Sequence, residues 1–175
     1  MSGPPASNLL EPPLQMRPPR NLVSPRAIRY WAARAALGWL FLLAVQVALL
    51  IATPGDGLVR WQLAALFLTA ALGALHVAVM PQWRFRVHRW ETTPSAVYTQ
   101  AGWFSQQRRI APISRIQTVD LQRGPIEQLF GLSNVTVTTA SAAGPLRIHG
   151  IERDLAQGLV DELTRAVETT RGDAT

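Results

Sequence analysis

Two long apolar stretches, followed by a region of shorter alternating patterns, divide the chain. Ala35 to Ala52 carries no charge over 18 residues, and Trp61 to Met80 carries none over 20 residues. As helices these runs measure roughly 27 and 30 Å, which matches the hydrocarbon core of a bilayer. The turn-forming residues 53–57 separate them. The pattern therefore predicts a transmembrane hairpin over residues 26–80, with spans at about 32–52 and 61–80.

Beyond Pro81 the apolar positions alternate, with Trp83, Phe85 and Val87 on one face of a predicted strand. Turn-forming residues separate five further predicted strands: Ala96–Gln100, Phe104–Ala111, Ile116–Gln122, Asn134–Ala140 and Leu146–His149. Residues 125–130 form a short helical turn that Gly131 ends, and an amphipathic helix runs from about Glu152 to Glu168. Residues 81–170 are thus predicted to form a mainly-β domain, a partly open barrel with a C-terminal helix.

The two ends of the chain look different from the rest. Residues 1–25 contain seven prolines, and proline prevents both a regular helix and a central strand. This segment is predicted to be a disordered tail, and residues 171–175 are predicted to be a second, short tail.

Charge sets the predicted orientation. All 17 basic side chains are arginines, and the net charge is +6. Basic residues flank the outer ends of the hairpin: Arg26, Arg29 and Arg34 before it, and Arg84, Arg86 and Arg89 after it. The connecting loop carries only Arg60, so both termini of this multi-pass cell-membrane protein should be cytoplasmic. Arg84, Arg86 and Arg89 are candidate contacts for anionic lipid headgroups, although codon bias in a GC-rich genome also explains an arginine excess.

Three blocks of the predicted domain carry a family resemblance: residues 112–121, 124–132 and 135–141. They resemble the bacterial pleckstrin-homology (PH) domain of the YdbS-like membrane-protein family, and the paired spans resemble that family's layout. The resemblance implies a PH-like partly open barrel with a helix, in a family without known catalytic residues.

The sequence offers little catalytic chemistry. Cysteine is absent, and the histidines at 76, 88 and 149 are not spaced as metal ligands. Nucleotide-binding and hydrolase motifs are also missing. Asp120 is either a general base or, as we prefer, the partner of Arg115 or Arg123. We therefore predict a protein that is not an enzyme, without catalytic, cofactor-binding or metal-binding residues.

Arg108 and Arg109 lie on a predicted strand farther from the membrane. They form either a solvated face or an interaction surface. Nucleic acid is not expected as a partner, because the aromatic residues that alternate with the arginines belong to the predicted core rather than to an exposed stacking platform.

The spans themselves carry features that suit helix association. Gln46 lies in mid-membrane, where its amide needs a partner helix, and Ala65, Thr69 and Gly73 form a ridge of small residues. Residues 70, 74 and 78 form a second ridge. Because a hairpin buries only one ridge, the other is free for a partner.

The resulting hypothesis is a membrane-anchored, non-enzymatic interaction module, with anionic lipids and other membrane proteins as partners, PH-domain relatives among them, in a homo- or hetero-oligomer. The alternative is a membrane sensor or transport accessory subunit in which Gln46 and His76 bind a ligand between the spans.

Overall fold

Two long helices pack side by side in the computed structural model, which describes residues 18–53, 57–102, 105–141 and 144–172. Helix α1 is Arg26–Ala52 and helix α2 is Val59–Val87. Each contains an apolar stretch long enough to cross a membrane. Large apolar side chains point outward, and Phe41 and Phe67 are each 73% exposed. Such a surface is stable only in an apolar solvent, which is what a lipid bilayer provides.

Helix α2 continues through Pro81 to Val87, so the predicted strand at residues 83–87 is wrong. The alternation of apolar residues suggested a strand, but the side chains that are buried in this segment recur every three or four residues, as on one face of a helix. Pro81 and His88 are buried, Arg84 and Phe85 are half-buried, and Trp83 is 52% exposed. The i, i+3, i+4, i+7 spacing is that of one helix face. This face turns inward because it lies against the domain described next.

Two antiparallel sheets follow. The first has the strand order β1-β2-β3-β4, with β1 at Asn21–Leu22, β2 at Arg89–Thr92, β3 at Ala96–Ala101 and β4 at Gln107–Pro112. The second has the order β5-β6-β7, with β5 at Ile116–Gln122, β6 at Leu132–Thr139 and β7 at Leu146–Glu152. A 3-10 turn, Ile113–Arg115, joins the sheets, helix α3 is Pro125–Leu129, and helix α4 is Arg153–Gly172.

The predicted fold class is confirmed. The described residues form two long apolar helices and then a mainly-β domain, whose two sheets do not close into a barrel and which ends in a helix. Leu132 and Val135 of β6 are completely buried, and Leu163 of α4 covers this core. Gly131 has the left-handed conformation expected for the residue that ends α3, with φ of 66°. The predicted bounds of β5 were correct, whereas β2 was missed.

The N-terminal segment differs from the prediction in its described part. Residues 1–17 lie outside the described residues, but Val23 and Ser24 are buried. Strand β1 pairs with β2, and the Ser24 amide donates to the Gly150 carbonyl at 2.9 Å. A short strand can form in this proline-rich segment because the prolines at 18, 19 and 25 lie on either side of Asn21–Leu22. At the other end, α4 reaches Gly172, and residues 173–175 lie outside the described part.

The domain core includes the beginning of α1. Ala27 is completely buried, while Tyr30 and Trp31 are only 6% and 3% exposed. Helix α1 lies close to β7 at Gly150, whose φ is 72° and where a Cβ atom would lie 3.0 Å from the Ala27 Cβ. The hairpin and the domain therefore share one hydrophobic core rather than being joined by a linker.

Candidate functional site at the junction of hairpin and domain

Polar side chains from both long helices meet the domain where the apolar stretches end. Tyr30, on α1, donates from its hydroxyl to Glu127 Oε1 of α3 at 2.7 Å. Asn134 of β6 donates to the same oxygen at 3.3 Å, and its own Oδ1 accepts from the Gly150 amide at 3.1 Å. This chain of hydrogen bonds links α1 to α3, β6 and β7. It fixes how the domain is attached to the first helix.

Glu127 stays ionised in this network. Burial alone would raise the pKa of its carboxyl group, but the hydrogen bonds from Tyr30 and Asn134 and the positive charge of Arg34 outweigh burial and lower that pKa. Arg34 also donates to the Tyr30 hydroxyl at 3.3 Å. Hydrogen bonds to an ionised acceptor are stronger than those between neutral groups, so Glu127 is the centre of this attachment.

Helix α2 is attached by a second cluster around Trp31. The Arg84 guanidinium lies 4.6 Å from the centroid of the Trp31 ring, a cation–π arrangement. The His88 ring lies 5.1 Å from the same Trp31 ring. His88 Nδ1 lies 2.8 Å from the Arg84 carbonyl oxygen. Because a carbonyl oxygen only accepts, Nδ1 carries the proton of a neutral His88.

The two histidines near this cluster are uncharged at neutral pH. Burial lowers the pKa of His88 to about 4, and repulsion by Arg84 and His149 acts in the same direction. Burial also lowers the pKa of His149, again with help from Arg84 and from Arg147. The junction thus holds permanent positive charge on arginines beside neutral imidazoles, an arrangement that suits binding an anion better than moving a proton.

The candidate headgroup contacts do not share one face. Arg84 lies against Trp31, Arg86 is exposed on the last turn of α2, and Arg89 is half-buried on β2 opposite Leu22 and Gln100. Sequence reasoning grouped these three arginines because all of them follow closely after the second predicted span. The helical path to Val87 separates them instead.

Arg108 and Arg109 lie on β4, at the outer edge of the first sheet. Arg108 is exposed, and its Nε donates to Gln100 Oε1 at 3.1 Å. Arg109 donates from Nη1 to the Pro145 carbonyl at 3.0 Å and so bridges the gap between β4 and the beginning of β7. Two cavities of about 220 Å³ each border this gap, and Arg109 lines both.

Gln46 and His76 each form a hydrogen bond within the hairpin, although the buried Gln46 Oε1 has no partner among the described residues. Gln46 Nε2 donates to Thr69 Oγ1 at 2.9 Å, and Trp39 Nε1 donates to His76 Nδ1 at 2.8 Å. Gly73 is buried against Trp39, since a Cβ atom there would lie 3.0 Å from Trp39 Cδ2. The ridge that contains Thr69 and Gly73 is therefore the one that α1 covers, although its member Ala65 is exposed.

Asp120 lies on the exposed side of β5, where its Oδ2 accepts from the Thr118 hydroxyl at 3.3 Å. The expected ion pair with Arg115 or Arg123 is not formed among the described residues. Across that same part of the chain, there is no group of three or more His, Cys, Asp or Glu residues that could hold a metal ion.

Sequence reasoning missed the junction itself. Tyr30 and Glu127 are separated by 97 positions, and nothing local in the sequence links them. The adjacent Tyr30 and Trp31 immediately before an apolar run were the available signal. An interfacial aromatic pair is usual there, however, and does not by itself reveal burial in a domain core.

Comparisons with known proteins agree with this architecture. A family model described as "Bacterial PH domain" matches residues 32–167. The chain is 26% identical over 156 residues to the UPF0699 transmembrane protein YdbS of Bacillus subtilis (strain 168), a match that covers 89% of this chain and 97% of that protein. No solved structure matches significantly.

Proposed function

Because the chain belongs to the bacterial PH domain family, we propose that it is a multi-pass, membrane-anchored interaction module without enzymatic activity. In this proposal both termini are cytoplasmic, and the hairpin presents the PH-like domain at the cytoplasmic face. The module works in a complex with other membrane proteins, including relatives that carry the same domain.

One observation carries the proposal: the ends of both spans are part of the domain's core. Trp31 of α1 and Val87 of α2 are buried, and Tyr30 is bonded to Glu127 of the domain. A domain attached in this way cannot swing freely on a linker. It displays the same surface at a fixed distance from the bilayer, which suits recognition of a neighbour in the same membrane better than capture of a soluble substrate.

The displayed surface includes the outer edge of β4. An edge strand offers unpaired backbone groups to an added strand, and Arg108 beside it adds positive charge. An acidic extended segment of a partner fits this edge by charge and by hydrogen bonding. Arg109 donates to the Pro145 carbonyl and so holds this edge strand to the beginning of β7.

A second surface lies on the hairpin. Thr69 and Gly73 face α1, which leaves the ridge of Ala70, Ala74 and Ala78 exposed. Small residues let two helix backbones approach closely in lipid, where no hydrophobic force drives association. This exposed ridge is where we place the partner's helix.

The sensor or transport alternative has less support. It needs Gln46 and His76 to face a ligand between the spans, but Gln46 bonds to Thr69 and His76 accepts from Trp39. Both side chains are used to hold the two helices together.

Assembly is tested with a matched pair of variants on α2. Ala74 and Ala65 are both exposed, and at 100° per residue they lie on opposite flanks of the helix. On blue-native gels in mild detergent, the wild-type protein should run as a complex that Ala74→Leu weakens and Ala65→Leu leaves intact. A wild-type monomer, or equal effects of the two variants, would contradict the proposed assembly.

Orientation is tested separately with reporters. A fusion at Thr175 should report the cytoplasm and a tag at Gly55 should report the outside, both positions lying outside the described residues. An external reporter at Thr175 would overturn the proposed presentation at the cytoplasmic face, whatever the gels show.

A further inference from the structure

Two neighbouring cavities lie along one flank of the hairpin. The cavity nearer the domain has a volume of about 400 Å³ and is lined by Trp31, Arg34 and Arg84. The second has a volume of about 460 Å³ and lies deeper in the apolar stretch. His76 and Met80 line both, so the two cavities adjoin each other. We call the combined feature the hairpin groove. Each part falls in the range of about 300–1,000 Å³ that is typical of ligand sites.

The two ends of the hairpin groove differ in character. The deep end is lined by Trp39, Leu72, Leu75 and Val79, all of which are apolar apart from the indole nitrogen that bonds to His76. Leu75 is 61% exposed and Val79 is 50% exposed, so this end opens sideways toward the surroundings of the helices. Gly73 lets the Trp39 ring lie against α2 and form the floor of this end.

The end nearer the domain is cationic. Arg34 is exposed and Arg84 is half-buried, and among the described residues neither forms an ion pair with a carboxylate. The carboxylate of the junction, Glu127, is bonded to Tyr30 and Asn134. Arg34 donates to the neutral Tyr30 hydroxyl, and Arg84 lies over the neutral Trp31 ring. Two like charges that line one cavity repel each other, and an anion between them relieves that repulsion.

The length of the hairpin groove matches one leaflet of a bilayer. From Arg84 to Leu72 is 12 positions along α2, or roughly 18 Å of helix at 1.5 Å per residue. Half of a hydrocarbon core is about 15 Å thick. A molecule with an anionic group at Arg34 and Arg84 and an apolar chain reaching Leu72 therefore has the dimensions of a phospholipid in its normal position in the leaflet.

We propose that the hairpin groove binds one anionic phospholipid of the surrounding bilayer. Its phosphate lies between Arg34 and Arg84, and one acyl chain follows Trp39 and the apolar face of α2. The proposal needs the helices to cross the membrane but does not depend on which compartment holds the domain. The hairpin groove also lies on the opposite flank of α2 from the ridge of Ala70, Ala74 and Ala78, so lipid binding and partner binding are separable.

The test uses the full-length protein purified in a neutral detergent and titrated with phosphatidylglycerol, with bound lipid counted by native mass spectrometry. One lipid should bind with higher affinity than the rest, and phosphatidylcholine with the same chains should bind more weakly. Arg34→Gln and Arg84→Gln should each weaken phosphatidylglycerol binding by about fivefold, the effect of one basic side chain near an anionic headgroup. Arg86→Gln is the matched control, since Arg86 lies in the last turn of the same helix and lines neither cavity, and it should change binding by less than twofold.

The chain-binding part is tested by filling the deep end. Leu75→Trp should abolish the tight site, whereas Leu68→Trp should not. Leu68 is also 61% exposed, but it lies two turns farther along α2 and lines neither cavity. Soluble glycerol phosphate, which lacks chains, should fail to compete with phosphatidylglycerol.

Three results would overturn the proposal: equal binding of the two phospholipids, equal effects of the Arg84 and Arg86 variants, or unchanged lipid binding in Leu75→Trp. If Leu75→Trp instead alters the oligomeric state while lipid binding is unchanged, a partner helix occupies the hairpin groove. Thermal melting checks that each variant folds. If Arg84→Gln does not fold, the test uses Arg34 alone. Arg34→Gln should then weaken lipid binding, and Arg34→Lys, which keeps the charge, should restore it.

Discussion

Acidification should destabilise the protein through His88. The pKa of this buried imidazole is about 4 in the folded protein, against 6.5 for an unperturbed histidine. The unfolded chain therefore binds the proton more readily, and stability falls as the pH drops through the window between these two values. Linkage of this single group gives a loss of about 2 kcal/mol between pH 7 and pH 5, and about 3 kcal/mol in all once the pH is below 4.

The structural reason is the set of groups around His88. Its Nδ1 is committed to the Arg84 carbonyl, its ring lies against Trp31, and Arg84 and His149 oppose a second proton. The lowered pKa of His149 contributes in the same direction. The pKa of Glu127 is lowered from its ordinary value, so this carboxylate stays ionised in the folded protein between pH 7 and pH 5 and contributes little to the loss predicted over that range.

The assay is denaturant unfolding of the full-length protein in a neutral detergent, at constant ionic strength, followed by circular dichroism at pH 7, 6 and 5. His88→Gln is the control, since glutamine keeps a donor for the Arg84 carbonyl and does not titrate. Its stability should depend on pH by about 2 kcal/mol less than the stability of the wild type over this range. A wild-type protein equally stable at pH 7 and pH 5, or an unchanged pH dependence in His88→Gln, would refute the reasoning.

Two further predictions concern packing. Leu132 is completely buried, and Phe130 is half-buried with its ring 6.2 Å from that of Tyr30. In the same denaturation assay, Leu132→Ala should therefore lower the unfolding free energy by about 3 kcal/mol and Phe130→Ala by about 2 kcal/mol. An unchanged unfolding free energy in Phe130→Ala would show that the ring contributes no packing. Gly73→Leu should displace the Trp39 ring and lower the melting temperature, since overpacking costs about 1–3 kcal/mol, whereas Gly38→Leu, where no atom lies within 4 Å of the added Cβ, should melt like the wild type. Equal melting of the two glycine variants would contradict the described hairpin packing.

The parts of the fold that were predictable from sequence are those set by a local period. A helix that crosses a bilayer needs a long run of residues with few or no charges, so the runs that end at Ala52 and Met80 identify the hairpin. Strand β5 was predicted with its observed bounds because its apolar and polar residues alternate and turns flank it. The strand predicted at residues 83–87 was wrong because Pro81 suggested a break. The helix instead continues to Val87, with Phe85 packed against the domain core and Val87 buried.

The candidate site was less accessible because it depends on contacts that are distant in sequence. Arg84 was identified as a basic residue near the membrane, but its position over Trp31 follows from how α2 enters the domain. Tyr30 and Glu127 meet only because α1 packs beside α3. A single sequence contains the residues of such a network but not their pairing, which the shared core imposes.

The shared core fixes the domain to the ends of the spans, and a distance between two spin labels tests this attachment directly. The chain has no native cysteine, so cysteines placed at the exposed Leu37 of α1 and the exposed Gln157 of α4 can be labelled alone. In lipid vesicles, double electron–electron resonance should give one narrow distance distribution between these labels. A broad distribution, or several well-separated distances, would show a domain that moves relative to the hairpin and would contradict the shared core.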